Sequence, residues 1–223
     1  VLSSHPAVAG AGELPTMVEI AETFVRQLAV GGHAEAVINA NSGAWTERYG
    51  RSLSNAAQGK NIVTDKHPLN FWSIGLIAAL FPEAQFVHIS RDALDTCLSI
   101  FKQRFHQGYT CANDVESLAH FYAAYERMMR HWRSVFPAIH EVRYEEFVNA
   151  FEPSARDLVA ACGLAWSDSC LEFYQAKRPV FTHSAAQVRA PVGAGAVERW
   201  RKFGDSIKPL AEALDRCRLD LAV

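Results

Sequence analysis

Arg91 and Ser99 stand eight residues apart, with Asp95 between them, in the run Ala84-Gln85-Phe86-Val87-His88-Ile89-Ser90-Arg91-Asp92-Ala93-Leu94-Asp95-Thr96-Cys97-Leu98-Ser99-Ile100-Phe101. The run reads as a short buried strand, an arginine at the strand's C-terminal end, and then a helix. Ligands of open α/β sheets sit beyond the C-terminal ends of the strands. A guanidinium placed there presents a planar fork of donors that matches phosphate or sulfate. Ser99, two turns into the helix, adds a hydroxyl on the same side. The same residues also permit a plainer structure, in which Arg91 caps a sheet edge and Ser99 faces solvent. A second cation has a similar setting. The strand-like Asn61-Ile62-Val63-Thr64 enters Asp65-Lys66-His67-Pro68, so Lys66 stands just past the strand and before Pro68, which suits the first turn of a helix.

Strands must end at both of these cations, and helices must follow them. Thr16 to Val30 carries apolar residues at helical spacing (Val18, Ala21, Val25, Leu28), and Gly31-Gly32 stops it. Val37 to Tyr49 reads as a second helix. Leu69 to Phe81 follows Pro68 with a strong apolar face. Ala84 to Ser90 is predicted as a strand and Asp92 to Phe105 as a helix. Val115 to Phe136 predicts a long helix whose stripe is Leu118, Phe121, Tyr122, Tyr125, Met129 and Trp132. His140 to Arg143 is a third strand, and Pro153 to Cys162 a helix that Gly163 can end. Pro179 to Gly195 reads as a loop, and Ala196 to Phe203 and Ile207 to Arg218 as closing helices. Strands alternating with helices predict an α/β fold with a parallel sheet flanked by helices.

The composition narrows the function. A chain of 223 residues makes one large domain or two small ones. Its 22 Lys and Arg against 24 Asp and Glu leave a net charge of −2, without the basic face that a nucleic-acid footprint needs. No apolar run approaches the roughly 18 residues of a membrane span. Val1-Leu2-Ser3-Ser4 has neither the basic start nor the apolar core of a secretory signal, so a cytoplasmic location is expected. The five cysteines include no Cys-x-x-Cys and indicate neither a zinc site nor a disulfide framework. Cys97 and Cys162 are expected as reduced core residues on helices.

The Arg91–Ser99 unit resembles the 3'-phosphate-binding element of sulfotransferases that use 3'-phosphoadenosine 5'-phosphosulfate (PAPS). That family writes it Arg-Asn-Pro-x-Asp-x-x-x-Ser; here Asp92-Ala93 replaces Asn-Pro. Further segments match in order: Leu2-Ser3-Ser4-His5-Pro6, Gly12-Glu13-Leu14-Pro15, Asp65-Lys66-His67-Pro68, Val142-Arg143-Tyr144-Glu145-Glu146-Phe147, Ser184-Ala185-Ala186-Gln187-Val188-Arg189-Ala190-Pro191-Val192 and Arg199-Trp200-Arg201. The resemblance is to the branch that includes tyrosylprotein sulfotransferases and bacterial domains found behind tetratricopeptide repeats. It implies a P-loop NTPase-like α/β fold and transfer of a sulfuryl group from PAPS to a hydroxyl, leaving 3',5'-adenosine bisphosphate, with no metal. By the same resemblance Glu13 is the general base, and Lys66 and Ser184 stabilise the leaving oxygen. Arg91, Ser99 and Tyr144 meet the nucleotide, and at least one of Arg189, Arg199 and Arg201 closes over it. His67 is the rival base, because arylsulfotransferases use a histidine near a related lysine. Trp200 is expected in the core, with an adenine neighbour as the alternative. The acceptor class stays open among small-molecule, carbohydrate and peptide hydroxyls.

The chain also departs from the family. The family's first strand and Ser-Gly-Thr phosphate loop, which cradles the 5'-phosphosulfate with backbone N–H groups, has no counterpart here. Residues 1–223 are therefore expected to form a single sulfotransferase domain that is N-terminally incomplete, with an upstream repeat domain as a possible partner. Leu14-Pro15-Thr16 and Gln103 stand where the tyrosylprotein branch carries arginines, which argues against tyrosine-peptide specificity. The alternative is a non-catalytic nucleotide-binding or interaction module that has lost the loop. An ATP-using kinase-like domain would need a Walker-type Gly-Lys-Ser/Thr, which is missing from these residues.

Overall fold

The computed structural model describes residues 1–103, 110–175 and 191–220. The strands are β1 (Val8–Gly12), β2 (Ile62–Asp65), β3 (Val87–Ser90) and β4 (His140–Arg143). The α-helices are α1 (Thr16–Ala29), α2 (Ala34–Ala57), α3 (Ile74–Leu80), α4 (Ala93–Phe101), α5 (Val115–Val135), α6 (Tyr144–Asn149), α7 (Phe151–Ala161) and α8 (Lys208–Asp220). Both strand pairings, β1 with β2 and β3 with β4, are parallel. The α/β class with helices on parallel strands is as expected. The chain gathers into two compact units, Val1–Gln85 with Ala155–Pro191 and Phe86–Ser154 with Val192–Val223.

In the first unit, β1 had no expected counterpart. Val8-Ala9-Gly10-Ala11-Gly12 holds one β-branched residue and two glycines, so its local preference for a strand is weak. Pairing decides it: Val8 faces Ile62, Ala9 faces Val63 and Gly10 faces Thr64. The buried face of α1 also differs from the expected stripe. Thr16, Met17 and Ile20 are buried, Phe24 meets Trp45 edge-on at 6.2 Å, and Val25 is 59% exposed. This helix carries two apolar stripes, and the one with the larger side chains packs on α2. The segment expected as one helix over Leu69 to Phe81 is a 3-10 helix (Pro68–Ser73) followed by α3, with Ser73 at φ −113°, ψ 8° between them. Cys162 is half-buried and lies just past the end of α7, where Gly163 at φ +68° closes the helix.

In the second unit, β3 begins at Val87 rather than Ala84, whose N–H is taken by Phe81 O in a turn at 2.9 Å. Asp92 caps α4 by accepting from Asp95 N at 2.9 Å, and α4 ends at Phe101 rather than Phe105. Asp114 caps α5 by accepting from Ser117 N at 2.7 Å. α4, α5 and α8 enclose a core of Cys97, Leu98, Leu118, Tyr122, Leu210 and Leu214. The expected stripe of α5 is half right: Leu118, Tyr122 and Met129 are buried, while Phe121 and Trp132 flank the buried face. The helix expected over Ala196 to Phe203 is a 3-10 helix over Arg199–Ile207, kinked at Gly204 with φ +48°. Trp200 packs against the core, as expected.

Candidate active site

The first unit brings Glu13 and Lys66 together from 53 residues apart. Lys66 Nζ donates to Glu13 Oε1. The local path explains how. β1 steps out of register between Gly10 and Gly12, so that Gly12 rather than Ala11 faces Asp65. Gly12 sits at φ +77°, a conformation that side chains disfavour, and this bulge turns the chain out of the strand. Lys66 N then donates to Gly12 O at 2.8 Å. Glu13 follows directly, beyond the C-terminal ends of two parallel strands. The pair is open to solvent, with the Lys66 side chain 64% exposed. An ion pair so exposed adds about 0–1 kcal/mol to stability, so the pairing is weak as a structural device and available as a chemical one.

His67 lies next to this pair but is engaged elsewhere. Its Nδ1 accepts from Leu69 N at 3.2 Å and caps the Pro68–Ser73 helix. Burial pushes its pKa below the ordinary imidazole value, against the opposing pull of Glu13 and Asp65. A neutral imidazole that accepts at Nδ1 carries its proton at Nε2, which leaves no free lone pair for a base.

In the second unit, Arg91 stands at the C-terminal end of β3. Its Nη2 donates to Ala196 O and lies 3.5 Å from Asp95 Oδ2, and its guanidinium lies 5.0 Å from the centre of the Tyr144 ring. Tyr122 Oη donates to Arg91 O at 3.0 Å. Asp95 is buried to 2% exposure and accepts from Trp200 N at Oδ1, at 3.0 Å. Glu145 takes the N–H of Asp92 at 2.8 Å, so the Asp95 carboxylate need not fold back to cap its own helix. Two buried atoms at this junction, Arg91 Nε and Asp95 Oδ2, have no hydrogen-bond partner among the described residues. Ser99 is half-buried on α4, and its hydroxyl makes no hydrogen bond to Arg91. Arg199 is exposed; Arg201 pairs with Glu198 at 2.7 Å and lies over the Trp200 ring at 4.9 Å. Ser184 and Arg189 lie outside the described residues.

A cavity of about 430 Å³ opens beside Arg91, its lining including Ser90, Tyr122, Tyr125, Arg130, Arg133 and Arg218. Two of its arginines are balanced by carboxylates: Arg218 by the fork with Glu126, both bonds 2.7 Å, and Arg133 by Glu141 at 2.8 Å. Burial alone would raise the Glu141 carboxyl, yet hydrogen bonds from Arg133 and His88 hold it below the ordinary range. His88 bonds Glu141 through Nδ1 at 2.7 Å and the Tyr125 hydroxyl through Nε2 at 2.6 Å. Burial pushes the Tyr125 phenol up to about 12. No cluster of three or more His, Cys, Asp or Glu suited to a metal occurs among the described residues.

Comparison with known proteins decides the family. The profile of the sulfotransferase family matches residues 1–168. The chain belongs to the sulfotransferase family. A solved sulfotransferase domain from the curacin biosynthetic pathway has a similar fold, with a TM-score of 0.64 over 99% of this chain and 90% of that one, at 15% identity. An uncharacterized protein of Aquifex aeolicus (strain VF5) is 31% identical over 96% of this chain. The chain spans 30% of the length of that curated relative. No helix among the described residues of this sulfotransferase is long and apolar enough to cross a membrane. Sequence reading singled out Glu13, Lys66 and Arg91 but missed the residues that hydrogen-bond around them: Tyr49, Tyr122 and Glu145. Asp65 was visible only as the neighbour of Lys66.

Proposed function

We propose that this sulfotransferase domain takes its sulfuryl group from 3'-phosphoadenosine 5'-phosphosulfate and passes it to an acceptor hydroxyl. The observation that carries this reading is the meeting of Glu13 and Lys66 at the ends of β1 and β2. Sulfuryl transfer resembles phosphoryl transfer in asking for positioning and charge balance more than for covalent chemistry. It needs one carboxylate for the acceptor's proton and one cation for the leaving oxygen, and these two side chains supply that minimum set. When bound, PAPS supplies the activated sulfuryl group. Glu13 takes the proton of the acceptor hydroxyl at a carboxylate oxygen, and Lys66 offers its ammonium to the leaving oxygen.

Arg91 fits the role of an anion holder. It stands at a strand end, with a buried Nε–H that has no partner among the described residues. In this reading Arg91, Ser99 and Tyr144 hold the nucleotide and its 3'-phosphate, with Arg199 or Arg201 as further cations. Ser184 and Arg189 take the roles that the family resemblance assigns to them. The base is Glu13 and not His67, whose Nδ1 is committed to its cap. Five free cysteines suit a reducing compartment, and we place the domain in the cytoplasm.

Calorimetric titration with 3',5'-adenosine bisphosphate, against ADP as the control, tests the donor assignment. Preferential binding of the bisphosphate, weakened by Arg91→Ala by about 1.5–3 kcal/mol, is expected. Equal affinity for both nucleotides, or an Arg91→Ala variant that binds as well as the parent, would remove the 3'-phosphate site. In the complete native protein, Glu13→Gln is expected to lower turnover by about 10²–10⁴-fold while bisphosphate binding is retained. Unchanged turnover would hand the base role to another group.

A further inference from the structure

Glu13 follows the bulge of β1 as part of a connection into α1, where nothing in its own sequence dictates its direction. Its two chain neighbours are nevertheless both tied to β2. On one side, Gly12 O accepts from Lys66 N at 2.8 Å. On the other, Leu14 N donates to Asp65 Oδ1 at 3.1 Å. Consecutive residues of β2 and its extension thus hold the backbone before and after Glu13. Lys66, the residue that supplies one of these ties, also carries the ammonium that meets the Glu13 carboxylate.

The second oxygen of Asp65 is held as well. Tyr49 Oη donates to Asp65 Oδ2 at 2.7 Å. Tyr49 is buried to 6% exposure on α2, and its ring packs edge-on against Phe81 at 5.3 Å. Burial foremost, and then the Asp65 carboxylate, push the Tyr49 phenol far above its ordinary pKa, so it stays a protonated donor. A tyrosine anchored in the core therefore orients a carboxylate, and that carboxylate fixes the loop bearing Glu13.

We infer that Asp65, oriented by Tyr49, is a positioning residue that holds Glu13 against Lys66. Asp65 does not touch the reacting groups; it acts through the Leu14 amide. The inference rests on the reading of Glu13 and Lys66 as the working pair. It goes beyond that reading by assigning the device that sets their geometry to a residue on β2 and a residue on α2.

The test compares Asp65→Ala, Asp65→Asn and Tyr49→Phe. Asparagine can keep both contacts, with Oδ1 accepting from Leu14 N and Nδ2 donating to the Tyr49 oxygen. Amide exchange is measured on this chain. Asp65→Ala is expected to speed exchange in the segment around Leu14 about tenfold, as the loss of one hydrogen bond implies, and Asp65→Asn to restore most of the protection. Turnover is measured in the complete native protein, as reverse transfer from 4-nitrophenyl sulfate to 3',5'-adenosine bisphosphate. There kcat is expected to fall about 100-fold in Asp65→Ala and about tenfold in Tyr49→Phe, with the KM for the bisphosphate unchanged and kcat largely restored in Asp65→Asn. Unchanged Leu14 exchange in Asp65→Ala would overturn the inference. So would an equal loss of kcat in the alanine and asparagine variants, which would point to the charge of Asp65 rather than its contacts. Glu13→Gln is run beside them. Full turnover in that variant would overturn the base role of Glu13 instead, whatever the clamp variants do.

Discussion

At the scale of single residues, the site is organised by where hydrogen-bonding capacity is spent. His67 shows this most clearly. Its ring spends Nδ1 on the Leu69 amide, and burial lowers its pKa, so the folded state favours the neutral ring. A group with a lowered pKa binds fewer protons when folded than when unfolded between the two pKa values. Stability therefore rises with pH across that window, is fully present above the unfolded value of about 6.5, and is lost as pH falls toward the folded value. Urea unfolding between about pH 5 and 7.5 should show a steeper acid loss for the parent than for His67→Asn, whose side-chain oxygen can also cap. Equal pH slopes in the two proteins would mean that His67 is not held neutral by the fold. The same economy applies to Arg91. Its Nη2 is spent on Ala196 O, while its Nε–H has no partner among the described residues, which suits the anion-holding role proposed for it.

At the scale of elements, two glycines show how similar residues carry different loads. Gly12 needs a positive φ at the bulge of β1, but a Cβ there would meet no atom within 4 Å. Gly12→Ala is therefore expected to cost only the backbone term, about 1–2 kcal/mol. Gly32, in the turn between α1 and α2, is limited by space: a Cβ would lie 2.7 Å from Gln27 O and 2.8 Å from Val37 Cγ2. The carbonyl belongs to the backbone and cannot swing aside, so Gly32→Ala should destabilise more than Gly12→Ala. Thermal melts of the two variants check the order, and the reverse ranking would show that the α1–α2 turn yields readily. The elements also show what sequence patterning could and could not reveal. α5 has a long stripe and an Asp114 cap, and its bounds were legible to within a residue. β4 was legible over its full length. β1 was not, because its glycines and alanines have little strand preference until β2 lies beside them.

At the scale of the whole molecule, each compact unit has its own buried centre and its own share of the proposed site residues. The first holds Glu13 and Lys66 over a core that includes Val8, Met17, Ile20 and Tyr49; the second holds Arg91 over the α4, α5 and α8 core. Leu214 is 1% exposed within that second core. Leu214→Ala should cost about 2–5 kcal/mol, read as a fall in the denaturant midpoint. It should also weaken bisphosphate binding, since α4 carries Asp95, the partner of Arg91 and Trp200. A Leu214→Ala protein of parental stability would contradict the packing of α8 on α5.

The sequence by itself determined the family, the α/β class, the parallel strands and which residues are proposed for the site. Those features rest on short motifs and on local periodicity, which a single chain displays. Tertiary structure alone decided that Glu13 meets Lys66, that His67 is occupied by its own helix cap, and that Tyr49 and Asp65 stand behind the pair. Except for the local cap that His67 makes on Leu69 N, these are contacts between separate segments of the chain, made by side chains of ordinary type. Pairing and packing create them, and no local pattern announces them.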